Sequence, residues 1–546
     1  MNSSSALLKD APERTAAPPA PRPRPGPTVL TAAVTGVFVT AFLLRVIDLN
    51  SVPGFNADEA WYGVQIQRLQ ASLPVIVRAP SGRVSSDVFL ALVLAPVQLL
   101  TGPSIWALRL PAVVAGLLTV ALAFTGLRVA WGRTVALSTA LILACLPVTI
   151  AYSRFGWDPS LLGPLVVMVI AFAGRGAWPA AMAVLAAAVM VHPTAIFLLP
   201  LVWGLMLGVD RDRAGEFRPA PLLRWAVPAG ASVGLLLLSQ LLGGPRQSVG
   251  FSAILDRLTH LEEITAFATG LFAVFSGRSV HDYLVSTAEP ALGWVVLERV
   301  ALGVSLVVMI TGLVGAIMRR NGRDVGLLLG TGASLSLLYV LSGAAGVTPE
   351  QSRYVLYSVP AVVLSFVVAL RHTALLVRRG HQWSTWPGRF VRSRSAPIAA
   401  VLALSIGLLA VSTAGYLQPL RQRGSTTHEA FLTAPVDPKQ QVWDIVSART
   451  GTAPTTVYCA DWWICYPLQY FAGTSEKSVR IKSFPIREVH SRSPASAASF
   501  AVVRTGSTSD AVITERLRER RSPSGSPRRW FVQDGQGRPA YTVIRF

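Results

Sequence analysis

The sequence predicts an all-α polytopic membrane protein with about eleven transmembrane helices, followed by a small C-terminal extracytoplasmic α/β domain. Three observations predict this architecture. The 546-residue chain is 52% hydrophobic and only 14% charged. Apolar runs of about 20 residues, the length needed to cross the hydrocarbon, recur along the first three quarters of the chain. From about Leu417 onward the composition becomes polar.

The N-terminal residues 1–27 are predicted to be a disordered cytosolic arm. They carry Lys9, Arg14, Arg22 and Arg24 among many prolines and alanines. The apolar segment that follows is longer than the core of a cleaved signal peptide and has no small-residue cleavage site. We therefore expect a retained first helix.

The transmembrane domain is predicted to cover residues 28–416 with eleven spans. The stretch DVFLALVLAPVQLLTG, from Asp87, has only about 15 residues before Gly102 and Pro103, which is short for a span. We expect it to be a re-entrant or interfacial helix within the first external loop, 50–107. The predicted spans are 28–49, 108–127, 134–151, 160–174, 177–191, 194–209, 225–243, 291–318, 325–343, 354–370 and 396–416.

The basic residues predict the orientation. The net charge is +21, but Lys and Arg lie in short clusters between apolar runs instead of on one continuous face, which argues against nucleic-acid binding. With eleven spans, the segments on the side of the N-terminus hold 20 Lys and Arg, more than twice as many as the external loops. The positive-inside rule then places the N-terminus in the cytosol and residues 417–546 outside.

The polar C-terminal region predicts a small α/β domain. DPKQQVWDIVSART is helix-like, and TTVYCADWWICY, SFAVVRT, RRWFVQD and AYTVIRF are strand-like. Cys459 and Cys465 could form a disulfide in an oxidising compartment, with two free thiols as the alternative. The third cysteine, Cys145, lies in an apolar run. No cluster has metal-ligand spacing, so neither a metal nor a cofactor is predicted.

The segment NADEAWYGVQIQRLQ, which starts at Asn56, carries the main candidate chemistry. Asp58 and Glu59 are adjacent carboxylates just after the first span, on the external side. They could simply be solvated acids or helix caps. However, a carboxylate at the rim of the bundle, beside Trp61 and Tyr62 at headgroup depth, is well placed to take a proton from an acceptor hydroxyl while a lipid-borne donor lies in the bilayer.

The order of these features resembles the GT-C membrane glycosyltransferases, in particular the superfamily of protein O-mannosyltransferases and lipid A aminoarabinose transferases. Their signature is an Asp-Glu pair directly after helix one, followed by small and aromatic residues and an amphipathic helix, and NADEAWYGVQIQRLQ matches it. WALRLPAVVAGLLTVALAF resembles their second helix with its leading Arg-Leu-Pro, and SRYVLYSVPAVVLS resembles their external Arg-Tyr helix start. Two positions depart from the pattern: Trp61 replaces a basic residue, and PSGRVSSD replaces a Lys-Pro-Pro motif.

The resemblance implies an inverting transfer of a sugar from a polyprenyl-phosphate donor to a protein, envelope glycan or lipid acceptor. Asp58 would be the general base, and Glu59 would orient the acceptor or support Asp58. The leaving phosphate needs cationic or hydrogen-bonding partners at the external face. The candidates for binding the substrate or donor are Arg353, Tyr354, His192, Arg154, Arg83 and Tyr62.

Three of these candidates also have a plainer interpretation. Arg353 could be an interfacial arginine that snorkels to headgroups, and Tyr354 an aromatic-belt residue. His192 precedes Pro193 in a tight turn and could be a satisfied turn histidine. Near Arg154, Asp158 and Pro159 are typical of an N-cap followed by proline at the first helical position.

The external loop 244–290 is amphipathic and could lie along the membrane surface as a roof over the site, or be a plain connector. His281, Asp282 and Tyr283 in this loop are possible acceptor contacts.

Two other classes of function remain. A transporter or flippase of a lipid-linked precursor would place ionisable groups near mid-membrane, whereas acids are nearly absent from these spans. A scaffold that anchors the outer domain would not need eleven spans. Mannose is the first expectation for the sugar, on the resemblance alone.

Overall fold

A computed structural model of the chain describes most of the membrane part and the core of the C-terminal domain. Arg83 and residues 1–26 lie outside the described residues. The described residues are 27–71, 87–214, 222–241, 257, 259–286, 292–380, 396–425, 437–451, 454–475, 477–483, 499–519, 528–534 and 536–545.

The membrane part is a bundle of helices interrupted by 3₁₀ segments. In chain order the helices are α1 (Pro27–Val46), α2 (Ala57–Gln70), α3 (Asp87–Thr101), α4 (Ile105–Trp131), α5 (Arg133–Cys145), α6 (Pro147–Tyr152), α7 (Leu162–Ala173), α8 (Trp178–Val191), α9 (Leu199–Ala214), α10 (Leu222–Leu241), α11 (Leu261–Ser276), α12 (Arg278–Leu284), α13 (Leu292–Met318), α14 (Gly322–Ser342), α15 (Val359–Gly380), α16 (Ala396–Ser412) and α17 (Gln418–Arg423). The 3₁₀ segments are Asp158–Leu161, Pro193–Leu198, Gly343–Val347 and Pro349–Ser358.

The predicted polytopic membrane architecture is confirmed, and every segment predicted to span coincides with an apolar helix. Within the described ranges, six helical stretches are long and apolar enough to cross a bilayer: Ile105–Trp131, Pro193–Arg213, Val295–Met318, Gly322–Val347, Pro349–Val377 and Ala400–Gln422. The other five predicted spans overlap shorter apolar helical stretches: Thr35–Val46, Arg133–Cys145, Asp158–Ala173, Trp178–Val191 and Val227–Leu237. The count of eleven spans stays a prediction. The stretch left outside the count is the 15-residue α3.

Close packing of α9 against α14 depends on glycines spaced four residues apart. Gly204 and Gly208 on α9 face Gly322, Gly326 and Gly330 on α14, and a Cβ on any of them would collide with the backbone of the other helix. Small residues at this spacing let helix backbones approach in a membrane. The contact fixes α14, which leads into the 3₁₀ segment that carries Arg353.

A buried polar network ties α4, α14 and α15 together at the end of the bundle predicted to face the cytosol. Asp324 accepts a hydrogen bond from Trp131 Nε1 at 2.9 Å and contacts His372 Nε2 at 2.7 Å. Arg371 also pairs with Asp324. Because buried carboxylates are stable only when paired, this network favours one arrangement of the three helices. The residues predicted to be external gather at the opposite end.

The C-terminal domain contains a five-stranded mixed sheet of order β2-β1-β3-β5-β4. The β1 strand runs parallel to β2 and β3, and β5 runs antiparallel to β3 and β4. The predicted α/β character is confirmed. The elements are α18 (Pro438–Arg449), β1 (Thr455–Cys459), α19 (Trp462–Gly473), β2 (Val479–Ser483), β3 (Ser499–Arg504), α20 (Thr508–Glu519), β4 (Arg528–Gln533) and β5 (Pro539–Arg545).

One strand prediction in this domain is half wrong. The β1 strand ends at Cys459, and the rest of TTVYCADWWICY begins α19 because Asp461 caps that helix, accepting a hydrogen bond from Trp463 N at 3.2 Å. Cys459 and Cys465 form a disulfide across this turn. The last apolar helix also continues through a π-helical turn (Thr413–Leu417) into α17, past the predicted domain boundary at 417.

Candidate active site

The Asp-Glu pair lies in the first turn of α2, at the end of the bundle next to the C-terminal domain. Asn56 is the N-cap, and its side chain accepts a hydrogen bond from Asp58 N at 2.7 Å. Glu59 completes a capping box by accepting from Asn56 N at 3.2 Å. The two carboxylates have different surroundings: the side chain of Asp58 is 30% exposed, whereas that of Glu59 is 0% exposed.

Glu59 forms a buried ion pair with Arg109 of α4. The two guanidinium nitrogens Nε and Nη2 of Arg109 donate to the two carboxylate oxygens at 2.8 and 2.7 Å. Glu59 also accepts from Gly156 N at 2.8 Å. Arg109 donates further to the carbonyls of Leu49, Pro53 and Gly54. The structure therefore gives Glu59 a structural contact that joins α2 to α4, and it does not place Glu59 where a substrate would touch it.

Arg154 is also a structural arginine in this fold. It is fully buried and donates to the backbone carbonyls of Leu44, Ile47 and Val52, at distances from 2.6 to 3.2 Å. These bonds hold the end of α1 and the turn that follows it against the loop after α6. The structure does not bring Arg154 into the group that surrounds Asp58, and its predicted role as a phosphate ligand finds no support in this geometry.

Asp58 pairs with Arg353, which lies 295 residues away in the 3₁₀ segment Pro349–Ser358. Arg353 Nη1 lies 3.0 Å from Asp58 Oδ2, and Nη2 donates to Tyr354 Oη at 3.1 Å. The guanidinium lies between the rings of Trp157 and Tyr354, each at 5.0 Å. Its Nε is buried without a hydrogen-bond partner in the described part of the chain. One donor of this arginine is thus uncommitted next to the carboxylate.

Asp158 supplies a second carboxylate to the same group. Its Oδ2 lies 4.0 Å from His192 Nε2, and it accepts a hydrogen bond from the hydroxyl of Tyr62. The interpretation of Asp158 as an N-cap is wrong, because the N-cap of the 3₁₀ segment is Trp157. The side chain of Trp157 makes no capping hydrogen bond. The side chain of Asp158 is therefore available to the site.

His192 and Tyr354 form an aromatic wall beside the two carboxylates. Their rings stack with centroids 5.3 Å apart and planes at 25°. His192 Nδ1 contacts Thr194 Oγ1 at 2.7 Å, so the turn histidine is both held by its own 3₁₀ segment and turned towards Asp158. The structure therefore brings together Asp58, Arg353, Tyr354, His192 and Tyr62 from the predicted set.

The electrostatics of the two carboxylates differ from those of solvated acids. Burial raises the pKa of Asp58 above its ordinary value, and the adjacent Arg353 acts in the opposite direction. Burial raises the pKa of Asp158, the first residue of its 3₁₀ segment, to about 7, with Arg353 opposing the shift and the Asp58 charge adding to it. A carboxylate with a raised pKa is a stronger base once it has lost its proton.

The helix α12 lies beside this group and carries the predicted acceptor contacts. Tyr283 is close enough to Asp58 and Arg353 to interact electrostatically with both. Asp282 instead pairs with Arg278 at 3.3 Å and with His281 at 3.4 Å, in a separate polar cluster. Of the three predicted acceptor contacts, the structure brings Tyr283 to the site. Among the described residues no group of three or more His, Cys, Asp or Glu could hold a metal ion.

Comparison with known proteins supports the fold. Residues 88–239 match the sequence profile of a family described as dolichyl-phosphate-mannose-protein mannosyltransferase. The structure is similar to ArnT from Cupriavidus metallidurans in the apo state, with 16% identity, a TM-score of 0.51, and coverage of 95% of this chain and 98% of that one. The chain has the GT-C fold. The family match indicates a glycosyltransferase, and the apolar helices indicate a multi-pass membrane protein.

Two further structures are more distantly similar. ArnT from Cupriavidus metallidurans bound to undecaprenyl phosphate has 15% identity and a TM-score of 0.49, with the same coverage. The oligosaccharyltransferase of Archaeoglobus fulgidus has 12% identity and a TM-score of 0.45, and the match covers 82% of this chain and 62% of that one. No protein of curated function matches the chain by sequence.

Sequence reasoning missed several residues of the site. Trp157, whose ring contacts the Arg353 guanidinium, lies in YSRFGWDPS, but an aromatic residue in a turn predicted to be external is not distinctive. Arg109 was noticed only as part of Arg-Leu-Pro, and its partner Glu59 is 50 residues away. The spacing Asn56 to Glu59 is a capping-box signal, which could have shown that Glu59 turns back to the helix start.

Proposed function

We propose that the protein is an inverting glycosyltransferase that moves a sugar from a polyprenyl-phosphate donor to an acceptor hydroxyl at the external face of the membrane. The observation that carries the proposal is the pair of Asp58 and Arg353 at 3.0 Å, at the end of an apolar bundle and next to a second carboxylate. The displacement needs a base to take the proton of the acceptor hydroxyl and a cation to bind the leaving phosphate, and this pair supplies both.

Asp58 is the general base in this proposal. The acceptor oxygen attacks the anomeric carbon of the sugar and gives its proton to the carboxylate of Asp58. The bond from that carbon to the phosphate oxygen breaks, and its electron pair leaves with the lipid phosphate. Attack from the side opposite to the leaving group inverts the anomeric centre. A raised pKa suits Asp58 to this task because a stronger base accepts the proton more readily.

Arg353 binds the phosphate of the donor. Its Nε has no partner in the described part of the chain, and its Nη1 can turn from Asp58 to a phosphate oxygen. Charge-assisted bonds of this kind strengthen as charge develops on the leaving group. Trp157 and Tyr354 hold the guanidinium between them, which limits the entropy lost when the donor binds.

Asp158 and His192 complete the site on the acceptor side. Asp158 orients Tyr62 and faces His192, so it can hold an acceptor hydroxyl or the sugar through one of these partners. Glu59 supports the base indirectly, since it fixes the first turn of α2 through Arg109.

The class of donor is supported by the comparisons. The matched family uses dolichyl-phosphate-mannose according to its description, and ArnT from Cupriavidus metallidurans has been crystallised with undecaprenyl phosphate. Mannose is the sugar we propose first, and a protein or an envelope glycan or lipid the acceptor. We also propose residues 28–416 as the transferase domain, 50–107 as its catalytic external loop, and 417–546 as an extracytoplasmic domain.

The experiment that tests this function uses purified protein in lipid nanodiscs. Radiolabelled polyprenyl-phosphate mannose, glucose and aminoarabinose are each offered, with the matching nucleotide sugars as controls. We expect release of polyprenyl phosphate from at least one lipid donor and no consumption of nucleotide sugars. Turnover of nucleotide sugars alone would refute the lipid donor, and movement of intact lipid-linked sugar between leaflets without bond cleavage would indicate a transporter.

A further inference from the structure

The helix α2, which carries Asp58, is held from two sides. Its inner side is tied to α4 by the buried pair of Glu59 and Arg109. Its other side lies against α19 of the C-terminal domain. The ring of Tyr470 lies so close to Gly63 that a Cβ there would be 2.5 Å from it, and Gln67 Nε2 donates to Tyr470 O at 3.1 Å. A helix clamped this way has little freedom to shift along or across the membrane surface.

A second contact from the C-terminal domain reaches the start of α2. Asp437 Oδ2 accepts a hydrogen bond from Phe55 N at 2.7 Å. The other oxygen, Oδ1, accepts from Lys439 N at 2.8 Å and lies 3.2 Å from Lys439 Nζ, so Asp437 is itself fixed at the N-terminus of α18. The ring of Phe55 packs between Tyr470 at 5.3 Å and Phe471 at 5.6 Å.

The hydrogen bond from Phe55 N to Asp437 lies directly before the capping box of α2. Phe55 immediately precedes Asn56, the N-cap that holds the backbone of Asp58. The bond from Asp437 therefore sets where the capping box begins, and the capping box sets where the Asp58 carboxylate lies relative to Arg353. The domain contact thus reaches the base through a short series of hydrogen bonds in α2.

We propose that Asp437 is a positioning residue of the transferase, through which the C-terminal domain holds the general base in register with the donor site. This inference rests on the proposed role of Asp58. Displacement of a catalytic group by about 1 Å can lower the rate by up to about 100-fold. Asp437 affects the position of the base and not the binding of the lipid phosphate, since Asp437 has no contact with Arg353.

The kinetic test compares Asp437→Ala with Asp437→Asn at equal amounts of monodisperse protein. The matched control is Asp444→Ala, a residue of the same helix α18 that is exposed and bonds only locally, to Gln440. We expect Asp437→Ala to lower kcat by about tenfold while KM for the lipid donor changes by less than threefold. Asp437→Asn should recover part of kcat because its amide oxygen can still accept from Phe55 N. Wild-type kcat per folded Asp437→Ala protein would overturn the proposal.

A second readout does not depend on activity. On a Cys145→Ala background, Asp58→Cys places one free thiol at the base position, since Cys459 and Cys465 are paired. We expect the rate of its modification by a charged methanethiosulfonate to change at least threefold when Asp437→Ala is added, and not with Asp444→Ala. Equal rates in all three proteins would overturn the positioning role. Absence of any lipid-donor turnover in wild type would defeat the proposed function, while the labelling rates would still decide whether Asp437 positions residue 58.

Discussion

Replacing Glu59 with glutamine should destabilise the protein far more than it affects the chemistry. Glu59 and Arg109 are both fully buried, and removing one partner of a buried ion pair costs about 3–5 kcal/mol. Arg109 keeps three carbonyl acceptors, and the amide oxygen of glutamine can still accept one bond, so we expect the lower end, about 3 kcal/mol. This corresponds to a fall in Tm of about 6–12 °C in a large domain.

The assay is a thermal scan of detergent-solubilised Glu59→Gln, followed by size-exclusion chromatography, together with turnover per folded protein. Asp58→Asn is the matched control because it is the adjacent residue, carries the same charge change and is 30% exposed. We expect a large fall in Tm for the Glu59 variant, with turnover lowered by about tenfold at most through the loosened first turn of α2. The Asp58 variant should keep its Tm and lose far more turnover. A Glu59→Gln protein with wild-type Tm and no turnover would refute the reasoning and make Glu59 a catalytic residue.

Three other predictions concern the donor, the second carboxylate and the topology. Arg353→Ala should raise KM for the lipid donor at least tenfold, because the phosphate loses charge-assisted bonds, and Arg353→Lys should recover only part since a point charge replaces a planar fork. Asp158→Asn should have a higher Tm than wild type, and the difference should grow from pH 5 to pH 7 and then level off. The reason is that a carboxyl with a folded-state pKa of about 7 makes the wild-type protein less stable as the pH rises to that value. With Cys145 replaced, an impermeant maleimide should label Gln536→Cys but not Arg320→Cys in intact cells.

Each of these predictions has a clear contrary outcome. An Arg353→Lys protein as active as wild type would indicate a snorkelling anchor instead of a phosphate ligand. A Tm difference for Asp158→Asn that is the same at pH 5 and pH 8 would mean that Asp158 is not held as a neutral acid. Labelling of Arg320→Cys without labelling of Gln536→Cys would reverse the orientation of the whole chain.

The helical segments could be predicted from the sequence because hydrophobic length is a local property. Each of the eleven predicted spans overlaps an apolar helix of the structure, and the length of α3 alone sets it apart from them. The strand prediction for TTVYCADWWICY is wrong in its second half, because a short apolar run is compatible with either a strand or a helix. The N-cap at Asp461 favours the helix. The small strand β2 and the helix α20 carry weak patterns and were not predicted.

The sequence could predict the candidate site only as a set of residue types on the side of the membrane predicted to be external. The pair of Asp58 and Glu59 looks equivalent in the sequence, yet Arg109 and Gly156, respectively 50 and 97 residues away, take Glu59 into the interior. Arg154 and Arg353 are both arginines near aromatic residues on the side predicted to be external, and only tertiary contacts separate the structural one from the one beside the base. Pairings over such distances leave no local pattern, which is why Asp437 and Trp157 carried no signal.

The central claim is that Asp58 is the general base of a transfer from a lipid phosphate. The most direct measurement is single-turnover transfer by Asp58→Asn with the lipid donor that wild type uses, at saturating donor and acceptor. We predict a fall in rate of about 100-fold or more with no loss of donor affinity, since asparagine keeps the shape of the side chain but cannot accept the proton. Transfer within threefold of the wild-type rate by the folded Asp58→Asn protein would contradict the account.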